Sequence, residues 1–485
     1  MSSLIFLAGV SFLICFFLTP LVRNFLNRRG ILDRPDSGRK FHERPIPRLG
    51  GVPIVTAVVV SLAVFSLAPL PGTAALRGQW PILLRLLPGA ALVFLLGVAD
   101  DLYGLRPWQK LAGEVVAACW LYWQGIRILD IFGLSAVHAH WFSFPLTLLW
   151  LVGCANAFNL IDGMDGLASG VGFFATCTMF VAALLQESGK VLGILTAPLA
   201  GALLAFLRFN FNPASMFLGD SGSLTIGFLL GAYGILWSQK SATLLGMTAP
   251  LMALAFPILE AGISVSRRFL RGDPIFAPDR GHIHHRLMEL GLTPRRAVLL
   301  IYAITSVFAM VSLLVTMPQF RYGGVIIILF CAISWMGVQH LGYAEFSEAR
   351  KVILSGTVRQ LIATQTKLRS YRYALERADS LQECWTLTVE AMRDLGFDHV
   401  ELVLPGRAHY QAPLYPENET VAPGHCWTLK IPLARSLEEG WIELSRHIDR
   451  GEGYLMLHAV VETVREVFPQ KFLEQPRTVP VGSMR

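Results

Sequence analysis

Charge is what this chain has least of. Asp, Glu, Lys and Arg make up 15% of its 485 residues, against 53% hydrophobic, and a soluble enzyme of that length needs a more polar surface. Cysteine is also scarce: seven residues and no CxxC pair suggest neither a disulfide framework nor a zinc site. No basic residue precedes the first apolar run, and a positive cluster follows it. That order is the reverse of a cleaved signal, so the run reads as a retained helix. The net charge of +7 gathers in loops beside apolar segments, where topology accounts for it without a nucleic-acid partner.

What the chain does have is long apolar runs. With a mean hydropathy of +0.51, it reads as an all-α polytopic membrane protein of about eleven transmembrane helices, each of roughly 17 to 22 residues. The expected spans are 4–22, 49–70, 81–99, 111–131, 144–158, 167–186, 191–208, 222–238, 243–265, 297–317 and 322–341. Arg and Lys crowd the loops after the first and ninth spans, while Arg77, Lys190, Lys240 and Arg321 are the few on the other side. Positive loops stay cytoplasmic, which puts the N-terminus outside. The expected division is a catalytic membrane domain over 1–342, an amphipathic linker helix over 343–378 and a cytoplasmic α+β domain over 379–485.

Polar clusters interrupt the apolar runs, all on the side predicted to be cytoplasmic. Ionisable groups at membrane depth are expensive, so carboxylates gathered at segment ends read as one site for a divalent metal and phosphates. Asp100-Asp101 closes the third span, where two carboxylates meet the negative end of the helix dipole and each other. The next cluster sets Asn156, Asn159, Asp162 and Asp165 three residues apart. On one straight helix Asn156 and Asp165 would point oppositely, so Gly163 and Gly166 are the expected break that returns Asp165 toward the site. Asp-Gly is also an ordinary turn former.

A third cluster runs from Asn212 to Ser223 and carries Phe217 and Asp220; Asp220 suits an N-cap as well as a metal. The last, Asp279 to Leu287, holds His282, His284 and His285 between Arg280 and Arg286. Its arginines suit a diphosphate better than zinc. In the first basic loop, Arg48 beside Gly50-Gly51 is the best candidate for reaching a phosphorylated substrate.

At these residues the sequence resembles the polyprenyl-phosphate N-acetylhexosamine-1-phosphate transferase family. The matching motifs, in family order, are PRLGG (47–51), DDLYGLRPWQK (100–110), NAFNLIDGMDGLASG (156–170), NPASMFLGDSGS (212–223) and HIHHRL (282–287). The resemblance covers approximately residues 1 to 341. It implies transfer of a HexNAc-1-phosphate from a UDP-sugar to undecaprenyl or another polyprenyl phosphate, with release of UMP. The cofactor it implies is Mg²⁺, with Mn²⁺ as the alternative, and the place is a bacterial cytoplasmic membrane, at the start of cell-envelope polysaccharide synthesis.

By motif, Asp220 and Asn159 resemble the metal ligands, Asp100 the residue that engages the lipid phosphate, Asp101 its partner and Lys110 a phosphate contact. Asp162 and Asp165 match positions around metal and nucleotide, and Phe217 the position beside the uracil. Asn156, Arg280, His282, His284, His285 and Arg286 complete the resembling set. The His-x-His-His spacing is closer to the GlcNAc branch than to the muramoyl-pentapeptide branch, leaving a modified HexNAc and MurNAc-pentapeptide as alternatives. Direct attack by the lipid phosphate is preferred, with a covalent aspartyl-phosphate route still open. A transporter would place polar breaks near the bilayer midplane, unlike these segment ends. A homodimer is compatible with the sequence. The tail resembles a small GAF- or PAS-like module, for which docking a cytoplasmic partner, regulation or simple stabilisation are the expected roles.

Overall fold

In a computed structural model of the protein, the described residues are 2–33, 45–67, 73–128, 130–131, 134–135, 140–185, 189–238, 247–271, 274, 281–316, 323–340, 357–405, 408–414, 426–433, 440–447 and 457–468. The chain divides into two compact units, Met1–Glu345 and Phe346–Arg485.

The first unit is helical. Its helices are α1 (Ser2–Arg29), α2 (Gly51–Leu67), α3 (Thr73–Gly78), α4 (Trp80–Tyr103), α5 (Pro107–Trp123), α6 (His140–Ile161), α7 (Leu167–Leu185), α8 (Lys190–Asn210), α9 (Gly219–Ser238), α10 (Thr248–Ala253), α11 (Ala255–Arg271), α12 (Ile283–Glu289), α13 (Pro294–Thr316) and α14 (Gly323–His340). A two-stranded ribbon, β1 (Asp130–Ile131) and β2 (Leu134–Ser135), precedes α6.

Among the described residues, seven helices are long and apolar enough to cross a membrane: α1, α4, α6, α7, α8, α9 and α13. That differs from the expected eleven. Helices α2 and α5 have 17 residues each, and the expected ninth span breaks at Leu254 between α10 and α11. Helix α11 is also sharply two-faced, with Glu260, Ser264 and Arg267 buried and Phe269 exposed.

The centre of the unit is α9, nearly all of whose residues are buried. Small residues explain how so many helices reach it, since without a Cβ two backbones can approach closely. A Cβ on Gly227 would strike the Cys154 carbonyl of α6, one on Gly97 of α4 would sit 2.5 Å from the Asp220 carbonyl, and one on Gly51 of α2 would strike Ser221. The first turn of α9 is therefore held between the start of α2 and the end of α4.

The second unit carries an antiparallel sheet of four strands, β3 (His399–Leu404), β4 (Ala408–Pro413), β5 (Cys426–Pro432) and β6 (Trp441–His447), in the order β4-β3-β6-β5. Its helices are α15 (Thr357–Arg377), α16 (Leu381–Asp394) and α17 (Leu457–Phe468). Val400, Leu402 and Leu404 alternate inward along β3 and meet Ile442 and Leu444 of β6 across the ladder, the period-2 pattern of a half-buried strand. Helix α15, expected as part of a linker, instead contributes Leu368, Tyr371 and Leu375 to this core. Helix α16 starts at Leu381 because Ser380 accepts from the Glu383 N–H at 3.1 Å while the Glu383 carboxylate accepts from the Asp379 N–H at 3.0 Å, a reciprocal cap. Strand β4 was not expected; Ala408, Tyr410 and Ala412 alternate inward along it against this core, between the exposed His409, Gln411 and Pro413.

Candidate active site

Two chain segments far apart in sequence pair first. The Phe217 N–H donates to the Pro47 carbonyl at 2.8 Å, and the Gly50 and Gly51 N–H groups donate to Phe217 and Leu218 at 3.0 and 3.1 Å. The PRLGG segment thus lies along the segment that leads into α9 and carries Arg48 to its first turn.

Asp101 anchors that turn. Its carboxylate accepts from the Asp220 N–H at 2.9 Å and from the Ser221 N–H at 3.0 Å, satisfying two otherwise unpaired donors at the positive end of α9. Gly219, at φ +71, makes the approach possible, since a Cβ there would sit 2.5 Å from the same carboxylate. Asp101 is therefore fixed by backbone groups and by Arg48, whose Nε donates to it at 3.2 Å. Arg48 also lies 3.9 Å from Asp220 and 3.8 Å from Asp33. Partial burial opposes its charge, but Asp101, Asp220, Asp33 and Asp100 together hold its pKa above the ordinary arginine value.

Asp220 is the centre of the cluster. Lys110 Nζ donates to it at 2.8 Å and to Asp100 at 3.3 Å, so one ammonium spans the carboxylates of α4 and α9. Asp100 is further oriented by the Leu105 N–H at 2.7 Å. Asn159, on the last turn of α6, donates to Ser223 at 3.1 Å and lies beside Asp220. Helix α6 then ends at Ile161, and Gly166 at φ +81 turns the chain. Asp162 follows that end. Enclosure by the surrounding chain, together with the carboxylates of Asp220 and Asp101, pushes it well above the usual carboxylate range.

A cavity of about 1080 Å³ opens in front of these groups, and Arg48, Asn159, Asp162, Asp165, Phe217, Asp220 and His285 all line it. Asp101 and Lys110 join it through their bonds to Asp220, and Asp100 through Lys110. Asp165 does something more particular than the sequence suggested: its Oδ2 accepts from the Asn212 side chain and from the Ala214 N–H, both at 3.0 Å, tying down the loop before α9.

Other predicted residues stand apart from the lining. Asn156 turns away to hydrogen-bond Glu114 on α5, as its helical phase required. Arg286 pairs with Glu289 at 2.8 Å. His282 bonds Glu260, and His284 is buried against Gly163, whose Cβ would sit 3.0 Å from its Nε2. Arg280 lies outside the described residues.

Sequence reading passed over two side chains that hold this arrangement, Glu114 and Glu260, and took Arg267 only as one of the loop cations that set orientation; all three are essentially buried. Each glutamate is a charge inside an otherwise apolar run, and that signal was available.

Among the described residues, no three His, Cys, Asp or Glu side chains form a ready metal cage. The donor chemistry nevertheless fits a hard divalent cation. Asp220, Asn159 and Asp162 offer oxygens to one cavity, and the carboxylates of Asp33, Asp100, Asp101, Asp162 and Asp220 outnumber the two cations, Arg48 and Lys110, that neutralise them.

Residues 83–238 match Glycosyl transferase family 4. The chain is 36% identical over 305 residues, 62% of its length and 81% of the relative's, to a Bacillus subtilis protein named "Probable undecaprenyl-phosphate N-acetylglucosaminyl 1-phosphate transferase". It is 33% identical over 333 residues (61% and 78%) to the decaprenyl-phosphate N-acetylglucosaminephosphotransferase of Mycobacterium tuberculosis. To the phospho-N-acetylmuramoyl-pentapeptide-transferase of Listeria monocytogenes it is 34% identical over 299 residues (58% and 87%). With its apolar helices and its carboxylate cluster, this multi-pass membrane protein is a phosphotransferase, and it belongs to the polyprenyl-phosphate N-acetylhexosamine-1-phosphate transferase family.

Proposed function

We propose that the protein transfers GlcNAc-1-phosphate from UDP-GlcNAc to undecaprenyl phosphate or a similar polyprenyl phosphate, releasing UMP and starting a cell-envelope polysaccharide. The observation that carries this is Asp220, linked through Lys110 to Asp100 and through Arg48 to Asp101 at the edge of one large cavity. The relatives' names supply the substrate class, and the HIHHRL motif favours GlcNAc over the muramoyl-pentapeptide.

In this reading an oxygen of the lipid phosphate attacks the phosphorus bearing the sugar, and the bond from that phosphorus to the UMP oxygen breaks. Two phosphorylated substrates repel, so the site must neutralise charge and hold attacking and leaving oxygens in line. Lys110 and Arg48 provide cations at the reacting phosphates. Asp100, at the end of α4, orients the acceptor. A phosphate monoester has its second pKa at about 6 and needs little help to lose its proton. Mg²⁺, held by Asp220 and Asn159 with Asp162 alongside, would supply further charge neutralisation on the diphosphate. Phe217 lines the nucleotide end, and His285 the sugar end of the cavity.

The cytoplasmic ends of the helices suit an acceptor whose head is polar and whose tail stays in the bilayer. The second unit is assigned a docking or regulatory role. Membranes containing the protein should release UMP from UDP-GlcNAc only with polyprenyl phosphate and Mg²⁺ present. Release that ignores the lipid, or survives Asp220→Ala, would refute the proposal.

A further inference from the structure

We infer that Glu260 is a positioning residue for the transfer, acting through His282 on the histidine loop; the inference rests on the function proposed above. Glu260 lies on the inward face of α11 and is 1% exposed. Its Oε1 accepts from His282 Nδ1 at 2.8 Å and from the Ile283 N–H at 3.0 Å, and its Oε2 shares that N–H at 3.1 Å. A carboxylate oxygen has no hydrogen to donate, so Nδ1 carries a proton and, in the neutral ring, Nε2 is the acceptor.

The orientation is passed on. The His282 ring stacks on His284 with centroids 5.4 Å apart and planes 5° from parallel, and His284 lies 4.3 Å from the ring of His285. His285 lines the cavity. A second grip comes from the same helix face, two turns on, where the buried Arg267 donates to the Gly281 carbonyl. Opposite charges of one helix stripe therefore hold successive peptide groups of the histidine loop. Burying both is expensive and apolar side chains would pack α11 at less cost, whereas hydrogen bonds to a fixed tautomer require a carboxylate at this place. Partners of this kind are worth about 10- to 100-fold where they orient a functional histidine.

Capping and tautomer control can be separated. Glu260→Gln keeps the shape but faces the Ile283 N–H or the His282 ring with an amide NH₂, removing the fixed tautomer. In a His282→Asn background the same change can act only through the Ile283 cap. The experiment is steady-state kinetics of the full chain in membranes, with the double variant of Glu260→Gln and His282→Asn included. Expected are a 10- to 100-fold lower kcat for Glu260→Gln with donor KM within twofold, and a double variant no worse than His282→Asn. An unimpaired Glu260→Gln, or losses that multiply in the double variant, would overturn the inference.

A readout independent of turnover is ¹⁵N-histidine NMR of solubilised protein. The signal lost in His282→Asn should report an Nδ1-protonated ring in wild type, and an Nε2-protonated ring would overturn the inference. Wild-type protein that transfers nothing from UDP-GlcNAc would refute the proposed function, while the tautomer result would still decide this inference.

Discussion

Gly97→Ala tests the site without altering a charge. Gly97 lies one turn before Asp100 and Asp101 on α4, and a Cβ there would sit 2.5 Å from the Asp220 carbonyl oxygen and 2.6 Å from Ser221 N and Cα. These are backbone atoms, so no rotamer change can relieve the clash. Ordinary contact begins at 3.4 Å, so α4 and α9 must part locally by roughly 0.9 Å, an overpacking cost of about 1–3 kcal/mol. The bonds from the Asp220 and Ser221 N–H groups to Asp101, now 2.9 and 3.0 Å, would stretch to nearly 4 Å, beyond hydrogen-bond range. Each charge-assisted bond is worth about 1.5–3 kcal/mol. A displacement near 1 Å in a positioned site costs on the order of 100-fold in rate. The expected outcome is a kcat about 100-fold lower in membranes matched for protein content, with a lower thermal midpoint in detergent. Helix propensity alone predicts the opposite sign, about 1 kcal/mol of stabilisation. Turnover within threefold of wild type and an unchanged midpoint would refute the claim that Asp101 sets the position of Asp220.

Four further outcomes can be checked. Lys110→Met leaves Asp100 and Asp220 facing each other without their shared cation and should lower kcat at least 100-fold; lipid-linked sugar formation from labelled donor measures it. Asp165→Ala leaves the Asn212 amide and the Ala214 N–H, which both donate to its Oδ2, without that acceptor, at a cost of about 1–3 kcal/mol, and should raise donor KM more than it lowers kcat. Burial, then the neighbouring imidazoles of His285 and His282, hold His284 well below its ordinary value of 6.5. The unfolded chain then takes up that proton first, so stability is full above about pH 6.5 and falls as the pH drops toward the folded value. The thermal midpoint should follow, and His284→Gln should flatten the fall. Chelation with EDTA should abolish turnover, and added Mg²⁺ should restore it.

Much of the site was legible because its chemistry is written at segment ends. The three-residue spacing from Asn156 to Asp165 already required a break and a divergence, and Asn156 does turn to Glu114 while Gly166 turns the chain. Strand β4 was not legible, since its inward residues are only Ala408, Tyr410 and Ala412, too little apolar bulk to stand out as an alternation. The break at Leu254 was hidden because α10 and the start of α11 are as apolar as one continuous span.

By itself the sequence determined that the chain is membrane-embedded, where its polar clusters lie along each span, and which family's motifs they match. These are properties of composition and local spacing, and burying so much apolar surface leaves few alternatives. Only the tertiary structure decided how each charge is used. Asp101 caps α9, Lys110 joins Asp100 to Asp220, Asp165 ties a loop and Glu260 holds His282. Those roles depend on which helix backbones glycine lets come together, and pairings across 22 to 119 residues of chain leave no trace in local pattern.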